Sequence, residues 1–207
     1  MVIKVGTKPL EAEIAATRAL RATLGSAVPI CADANRGYTL AAARAYLEAA
    51  RDVDLLFLEQ PLAADDLDGL ARLARNSPTP ICADEAIHSN ADIEAHARCG
   101  AAGVSLKLIK LGGMSAALEA AALCARLGLS INIAAKIAES SIGSAAAVHL
   151  ACAVASVDWG VSLTHFYLAH DIVTTPLPLV DGVVALPAGP GLGVEVDEAA
   201  VARFRVD

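Results

Sequence analysis

Four stretches of this chain share one layout, a short apolar run that ends in a charged residue: ICADANRG at residues 30–37, LFLEQPL at 56–62, ICADEAIHS at 81–89 and GVSLKLIKLGG at 103–113. The charged residues are Asp33, Glu59, Asp84 and Lys107. They follow one another at intervals of about 25 residues, which is the length of one strand with its helix and loops. Such regular spacing indicates a repeated strand–helix unit.

Apolar runs of strand length alternate with segments of helical periodicity along most of the chain. The predicted strands cover residues 2–5, 28–32, 55–58, 80–83, 103–108, 130–134 and 157–163. The predicted helices cover residues 10–24, 40–50, 67–74, 91–99, 114–127 and 142–153. Strands joined through helices form a parallel sheet, and the even spacing favours a closed TIM-type barrel. A doubly wound sheet differs by a switch in strand order, which a sequence does not show.

The chain opens on a strand, and seven strands are one fewer than such a barrel needs. We therefore expect residues 1–170 to form a (β/α)7β barrel domain, truncated at its N-terminus and lacking the first strand. Residues 171–207 are rich in Pro and Gly and show no clear strand–helix period, so we expect them to wrap back over the barrel or onto another domain. An incomplete barrel exposes sheet edges, which predicts a homo-oligomer.

The composition argues against two classes of partner. Hydrophobic residues make up 56% of the chain, aromatic residues 3%, and the formal net charge is −7. Because the chain has no cluster of Lys and Arg to neutralise phosphates, we expect neither a nucleic acid nor a membrane as partner. The N-terminus shows no signal-peptide pattern, and a cytoplasmic protein is expected.

The three strand-end acids predict a metal site. In a parallel barrel, Asp33, Glu59 and Asp84 fall at the C-terminal ends of neighbouring strands, where barrel active sites are built. Three carboxylates that converge repel one another unless a cation holds them. Hard oxygen ligands without His or Cys favour Mg²⁺, or Mn²⁺, over zinc. The alternative is that these acids only cap helices or lie solvated in loops.

Two lysines complete the predicted site. Lys4 ends the first strand, and Lys107 ends a strand four positions further round an eight-stranded barrel. Their amines would therefore face each other across the barrel mouth, with the acids on the arc between them. A small carboxylate substrate bound at the metal would have one amine on each face of its α-carbon. Taken alone, a strand-end lysine is as well explained as a surface charge.

These motifs resemble the barrel domain of the enolase superfamily, in the mandelate racemase/muconate lactonizing enzyme family. The resemblance rests on KVG at residues 4–6, DAN at 33–35, EQP at 59–61, ADE at 83–85, SLKLIKLGG at 105–113, ESSIGSAAAVHLA at 139–151 and GPGLGVEVDE at 189–198. It implies that Asp33, Glu59 and Asp84 are Mg²⁺ ligands and that Lys4 and Lys107 are the acid/base pair.

The chain departs from the family pattern in two respects. Val2 stands where the family usually carries a further lysine, which leaves the tuning of Lys4 open. The family's N-terminal capping domain, which closes over the substrate, has no counterpart in this sequence, and a truncated, non-catalytic homologue is therefore an alternative.

The resemblance implies removal of the α-proton of a small carboxylic acid through an enediolate, followed by racemisation or epimerisation, dehydration or cycloisomerisation. The segments AAKIAESSIGSAA at 134–146 and DWGVSLT at 158–164 are similar to the branch that acts on hydroxyproline-like or betaine-like cyclic amino acids. A muconate-type cycloisomerase is the main alternative. A metal-free Schiff-base enzyme using Lys107 alone is weaker because it leaves the acids unexplained.

Further residues are candidates for supporting the ligands or binding substrate: Asn35, Gln60, Glu85, Lys110, Lys136, Glu139 and Trp159. For several of them a structural role competes with the functional one. Glu85 is equally well placed to cap the next helix, Lys136 to be solvated, and Trp159 to be a core residue rather than to stack on a ring or a cation.

Overall fold

The computed structural model describes residues 1–206. Its strands form one sheet in chain order, so each strand lies beside the next along the chain. The strands are β1 (Val2–Lys4), β2 (Cys31–Asp33), β3 (Leu58–Glu59), β4 (Ile81–Ala83), β5 (Gly103–Leu106), β6 (Ser130–Ala134) and β7 (Val161–Ser162). The pairs with a described register run parallel. The predicted α/β fold with a parallel sheet is confirmed.

Helices connect these strands: α1 (Leu10–Leu24), α2 (Leu40–Ala49), α3 (Leu67–Ala74), α4 (Asn90–Arg98), α5 (Leu108–Leu111), α6 (Met114–Leu127), α7 (Ser141–Ala153) and α8 (Glu198–Phe204). The predicted bounds of α1, α3 and α6 are confirmed, and those of α2, α4 and α7 are off by one residue at most at each end. Among residues 1–206, no helix combines the length and the apolar character needed to cross a membrane.

Four strands begin later than the apolar runs predict, β4 by one residue and β2, β3 and β7 by three or four. β2 starts at Cys31 rather than at residue 28, because Pro29 has no N–H to give to a ladder. β3 starts at Leu58 rather than at residue 55, although Leu55 and Phe57 are buried. Apolar periodicity therefore locates the core, whereas pairing with the neighbouring strand sets where a strand begins and ends.

Residues 171–207 show no clear strand–helix period in the sequence, yet they contain the helix α8 (Glu198–Phe204). The Asp197 carboxylate accepts a hydrogen bond from the Ala200 N–H at 3.0 Å and so begins this helix. Before it, Val173 and Val196 form an antiparallel bridge. Asp207, the last residue of the predicted segment, lies outside the described residues, and the expectation that the segment wraps back stays a prediction.

The chain divides into two compact units. The first consists of Met1–Ser105 with Leu123–Ser130, and the second of Leu106–Ala122 with the chain from Ile131 onward. In the first unit, α1 packs on α2, α2 on α3, and α3 on α4. Tyr46 is fully buried between these helices and shares a hydrogen bond of 2.8 Å between its hydroxyl and the Thr17 hydroxyl.

In the second unit, β6 pairs with β7, and α7 packs against β7. His165 is buried and hydrogen-bonds both the Ser144 hydroxyl at 3.0 Å and the Leu177 carbonyl at 2.9 Å. The Asp171 carboxylate accepts the Ser141 N–H at the start of α7. These contacts tie part of the predicted segment 171–207 to α7, and the predicted domain boundary at residue 170 stays a prediction.

Candidate metal and acid–base site

The strand register places the three acids on one face of the sheet. Asp33 is the last residue of β2 and lies opposite Glu59, the last residue of β3. Glu59 in turn lies opposite Cys82, and Asp84 follows Cys82 by two residues. Side chains opposite one another in a parallel ladder share a face, as do residues two apart along an extended strand. All three carboxylates therefore leave the sheet on the same side.

The three acids are buried, which excludes the alternative of solvated loop charges. Asp33, Glu59 and Asp84 are 4%, 6% and 1% exposed. They do not cap helices either, because Thr39, Asp66 and Ser89 supply the caps of α2, α3 and α4. Two reasons to bury a charge are a paired cation and a bound metal.

The pKa values of two thiols on this face reflect the negative charge of the acids. Burial raises the pKa of Cys31 to about 11, and the charges of Glu59 and Asp33 add to that rise against the pull of the N-terminal ammonium. Burial also raises the pKa of Cys82, with a contribution from Glu59. The field of the carboxylates therefore extends along the face beneath them.

Lys4 lies directly against the first acid. Its register partner is Asp33, and its ammonium forms an ion pair and hydrogen bond with the Asp33 carboxylate. The same ammonium donates to the Asn35 side-chain oxygen at 2.8 Å. The Lys4 side chain is 65% exposed, so it reaches the acid from the solvent side.

Asn35 and Glu85 surround this ion pair. The Asn35 N–H donates to Asp33 at 2.9 Å, and its side-chain amide donates to Glu85 at 3.2 Å. Arg36 also approaches Glu85, with 3.4 Å between its Nε and the nearer carboxylate oxygen. Asn35 and Arg36 both have positive φ, so the turn after β2 is tight. Within residues 1–206, the buried Glu85 Oε2 accepts no hydrogen bond.

The Gln60 side chain hydrogen-bonds the backbone of two loops. Its side-chain oxygen accepts the N–H groups of Asp84 at 2.9 Å and Ala86 at 3.3 Å, and its amide nitrogen donates to the Leu62 carbonyl at 3.1 Å. It is 5% exposed. These contacts hold the backbone of the third acid in place, which is a supporting role for Gln60.

Ser105 contributes to the site, and sequence reasoning missed it. Its hydroxyl donates to the Glu59 carboxylate and lies 3.5 Å from the Cys82 sulfur. Ser105 follows Gly103, the register partner of Cys82, by two residues, so it shares the face of the acids. The alternation of side chains along a strand could have identified Ser105 from the sequence, because it precedes Lys107 by two residues in the motif at 103–113.

The remaining candidates lie in the second unit. Lys107 has extended backbone and begins α5, which contains Lys110. The Lys136 carbonyl and the Glu139 N–H both bond the Thr164 hydroxyl, at 2.6 Å and 3.1 Å. The backbone N–H of Trp159 donates to the Ile131 carbonyl at 3.0 Å. The roles assigned to these side chains stay predictions.

The donor chemistry of the acids suits a hard divalent cation, since buried carboxylates on one face are ligands that Mg²⁺ and Mn²⁺ prefer. In the described range 1–206, however, no three side chains of His, Cys, Asp or Glu are gathered closely enough to enclose an ion. The register brings Asp33, Glu59 and Asp84 to one face, and their convergence on a single ion stays a prediction.

Buried carboxylates at the ends of successive parallel strands, with a lysine beside them, define an α/β protein whose site lies at the C-terminal edge of its sheet. The chain belongs to the enolase C-terminal domain-like family, whose sequence model matches residues 1–200. The predicted membership of the enolase superfamily is confirmed.

Two curated relatives illustrate the similarity. Muconate cycloisomerase 1-2 of Acinetobacter lwoffii is 31% identical over 207 residues, which cover 99% of this chain and 54% of that protein. The o-succinylbenzoate synthase of Geobacillus kaustophilus is 34% identical over 179 residues, or 86% of this chain and 47% of that protein. The chain thus spans about half the length of these relatives.

The solved structure of muconate lactonizing enzyme from Pseudomonas putida matches 98% of this chain and 57% of its own, with a TM-score of 0.93 and 29% identity. The predicted fold class, the barrel domain of the enolase superfamily, is confirmed by this match and by the family model.

Proposed function

We propose that this chain carries the metal-binding and proton-transfer residues for removing the α-proton of a small carboxylic acid. The observation that carries the proposal is the common face of three buried acids, with the Lys4 ammonium against the first of them. The names of the relatives, a cycloisomerase and an o-succinylbenzoate synthase, support enolase-type chemistry.

Asp33, Glu59 and Asp84 would hold Mg²⁺, or Mn²⁺. When bound, such an ion stabilises the negative charge that develops on the substrate carboxylate. Ser105 and Gln60 keep two of the ligands in place, Ser105 through its hydrogen bond to Glu59 and Gln60 through the backbone of Asp84. Buried ligands that are already oriented need little rearrangement as charge develops.

The two lysines divide the proton transfer. Lys4 lies against Asp33, and we assign to it the return of a proton to the α-carbon. Lys107 is the group that removes the proton. Return of the proton to the opposite face gives racemisation or epimerisation, whereas loss of a β-substituent gives dehydration or, for a lactone, cycloisomerisation in reverse.

For the substrate, the first candidate is a hydroxyproline-like or betaine-like cyclic amino acid, on the segments at 134–146 and 158–164. Trp159 would face the ring or the cation, Lys136 would bind the substrate carboxylate, and Lys110 and Glu139 would support the base. The second candidate is a muconate-type cycloisomerase, which the names of several relatives favour. Incubation with hydroxyproline, proline betaine and muconolactone separates the two.

The test of the proton-removal step is exchange of the substrate α-proton in D₂O, followed by NMR with Mg²⁺ present. We expect Lys107→Ala to abolish exchange and to leave the Mg²⁺ affinity from calorimetry unchanged, because Lys107 transfers protons and binds no metal. The control is Arg98→Ala, at an exposed basic residue of α4, for which exchange should persist. Exchange that survives in Lys107→Ala would show that the base is another residue.

The alternative of a non-catalytic homologue makes a different prediction for the unmodified chain. A chain that binds Mg²⁺ and exchanges the α-proton of one of the three probes supports the enzyme. A folded chain without a calorimetric Mg²⁺ signal would favour the non-catalytic homologue.

A further inference from the structure

Glu13 is a buried carboxylate that the proposed chemistry does not use. It lies in the first turns of α1 and is 3% exposed. One carboxylate oxygen accepts the backbone N–H groups of Thr7 and Lys8, both at 2.8 Å. The other oxygen accepts the Tyr38 hydroxyl at 2.5 Å. Both oxygens of this carboxylate therefore bind groups from loops at the ends of strands.

The first of these loops joins β1 to α1. Pro9 is the N-cap of α1 and provides no side-chain cap. A carboxylate near the start of a helix can accept a hydrogen bond from the backbone N–H of the cap residue. Proline has no N–H, so Pro9 offers no such donor. Glu13 reaches past Pro9 to the two preceding N–H groups and so fixes the loop that leaves the strand of Lys4.

The second loop joins β2 to α2 and contains Tyr38. Its backbone touches the first loop, because a Cβ added to Gly37 would lie 2.2 Å from the Gly6 carbonyl oxygen. Glu13 adds a side-chain link to this backbone contact. Tyr38 also packs on Tyr46, with ring centroids 5.5 Å apart, which anchors its ring in the core of the first unit.

The pKa values agree with a carboxylate that is held in its charged form. Burial by itself would raise the pKa of Glu13, but hydrogen bonds from Tyr38 and from the backbone of the first loop lower it below its ordinary value. Burial, and then the bond to Glu13, raise the pKa of Tyr38. The tyrosine therefore keeps its proton and remains the donor.

We propose that Glu13 is a positioning residue that ties the loop after Lys4 to the loop after Asp33, and thereby sets the placement of Lys4 against Asp33 and Asn35. Two hydrogen bonds connect Lys4 and its neighbour Val5 to the end of β2 and the loop after it. The Val5 N–H, next to Lys4, donates to the Asp33 carbonyl at 2.9 Å, and the Lys4 ammonium donates to Asn35 at 2.8 Å. The importance of this placement for proton transfer rests on the proposed function.

The first measurement does not depend on activity. In NMR spectra of the full chain, we expect Glu13→Ala to shift the signals of the Lys4 ammonium and of the Asn35 side-chain amide. We also expect it to raise the hydrogen-exchange rates of the Thr7 and Lys8 amides at least about tenfold, because their acceptor is lost. Tyr46→Phe is the matched control, since it removes a buried hydroxyl bond in the same core and keeps the ring that packs on Tyr38.

The second measurement is the rate of racemisation or epimerisation in D₂O, in which Lys4 returns the proton to the α-carbon. We expect Glu13→Ala to lower this rate about tenfold to a hundredfold while the Mg²⁺ affinity stays within about twofold, since misplacement of a reacting group affects the rate first. Glu13→Gln keeps an acceptor for Thr7 and Lys8 and should recover most of the rate. Tyr38→Phe should give an intermediate loss, and Tyr46→Phe none, although both remove one buried hydroxyl.

The outcomes separate the two proposals. If Glu13→Ala leaves the Lys4 and Asn35 signals at their wild-type positions, or if Tyr46→Phe moves them equally, the positioning role is overturned, whether or not the chain exchanges α-protons. If wild type shows no exchange and no Mg²⁺ binding, the proposed function fails while the spectra still decide the role of Glu13. Should Glu13→Ala not fold, Glu13→Gln and Tyr38→Phe supply the same comparison.

Discussion

Three carboxylates buried on one face repel one another, and the surrounding residues offset part of that repulsion. Lys4 pairs with Asp33, and Ser105 donates to Glu59. Burying several charges of one sign together lowers the stability of a protein, and such clusters are common at binding sites. The stability of the metal-free protein and its affinity for metal should therefore respond in opposite directions when one acid is neutralised.

We expect Asp84→Asn to lower the Mg²⁺ affinity at least about tenfold and to leave the metal-free chain as stable as wild type or more so, because a buried charge is removed. Calorimetric titration gives the affinity, and urea unfolding without Mg²⁺ gives the stability. Asp65→Asn, at an exposed acid, is the control and should change neither. An Asp84→Asn chain that binds Mg²⁺ like wild type would remove Asp84 from the ligand set.

Glu13 makes the stability depend on pH in a predictable direction. Its folded-state pKa lies below the ordinary value of 4.5. The stability it contributes is therefore fully present above about pH 4.5 and is lost as the pH falls through the folded-state value. In urea unfolding at pH 3 to 6, the free energy of unfolding should fall more steeply with decreasing pH for wild type than for Glu13→Gln. Parallel curves would contradict the role of the charged carboxylate.

At the scale of the elements, the end of α1 is fixed by one arginine. Arg21 donates to the carbonyl oxygens of Val53, Gly25 and Val28, each at 2.7 Å. It thus connects the helix end to the chain that leads into β2 and to the turn before β3. Arg18, one turn earlier on the same helix, instead forms an exposed ion pair with Asp52 at 3.4 Å.

These two arginines give a matched comparison. We expect Arg21→Met to lower the free energy of unfolding by about 2 to 3 kcal/mol, because carbonyl groups lose a charged donor. Arg18→Met should change it by less than about 0.5 kcal/mol, because its ion pair is solvated. Urea unfolding measures both. Equal losses in the two variants would show that the carbonyl contacts of Arg21 contribute nothing beyond helix propensity.

Helices were the elements that the sequence predicted best, and the reason is local. The periodic apolar residues of α1, α3 and α6 define those helices without reference to the rest of the chain. The start of β3 depends instead on where its neighbours pair with it. The helix α8 was missed because the Pro- and Gly-rich segment before it dominates the pattern, although Asp197 is a recognisable N-cap.

Residues of the candidate site also divide into those that a local pattern predicts and those that depend on contacts far along the chain. The common face of the three acids was predictable because strand ends meet at one edge of a parallel sheet, so regular spacing was sufficient. Ser105 and Glu13 were missed because each acts through a partner far along the chain, Glu59 for the first and Tyr38 for the second. A Ser in a strand or a Glu in a helix has an ordinary explanation until the partner is known. Contacts of this kind require the fold.

At the scale of the whole molecule, β1 and β7 are the end strands of the described sheet. Val2 in β1 and Val161 in β7 are exposed apolar side chains at these edges. Unpaired strand edges with apolar residues readily pair with another chain. We therefore propose that the chain forms a homo-oligomer through a sheet edge.

Light scattering coupled to size-exclusion chromatography tests this proposal. We expect a mass that is a multiple of the 21.1 kDa of one chain. Val161→Lys, which places a charge on an edge strand, should shift the distribution toward the monomer, whereas the buried-core change Ile133→Val should not. A monodisperse wild-type monomer at all concentrations would contradict the proposal.

The contact between Gly6 and Gly37 has a consequence for protein engineering. Gly6 has a φ of 85°, and a Cβ there would lie 2.6 Å from the Ala34 carbonyl oxygen, whereas Gly37 is constrained by its nearness to the Gly6 carbonyl. An insertion in either loop would separate the two backbones and remove Tyr38 from reach of Glu13. In chimeras with homologous barrels, the segments 5–9 and 34–39 should therefore be exchanged together, as one cassette.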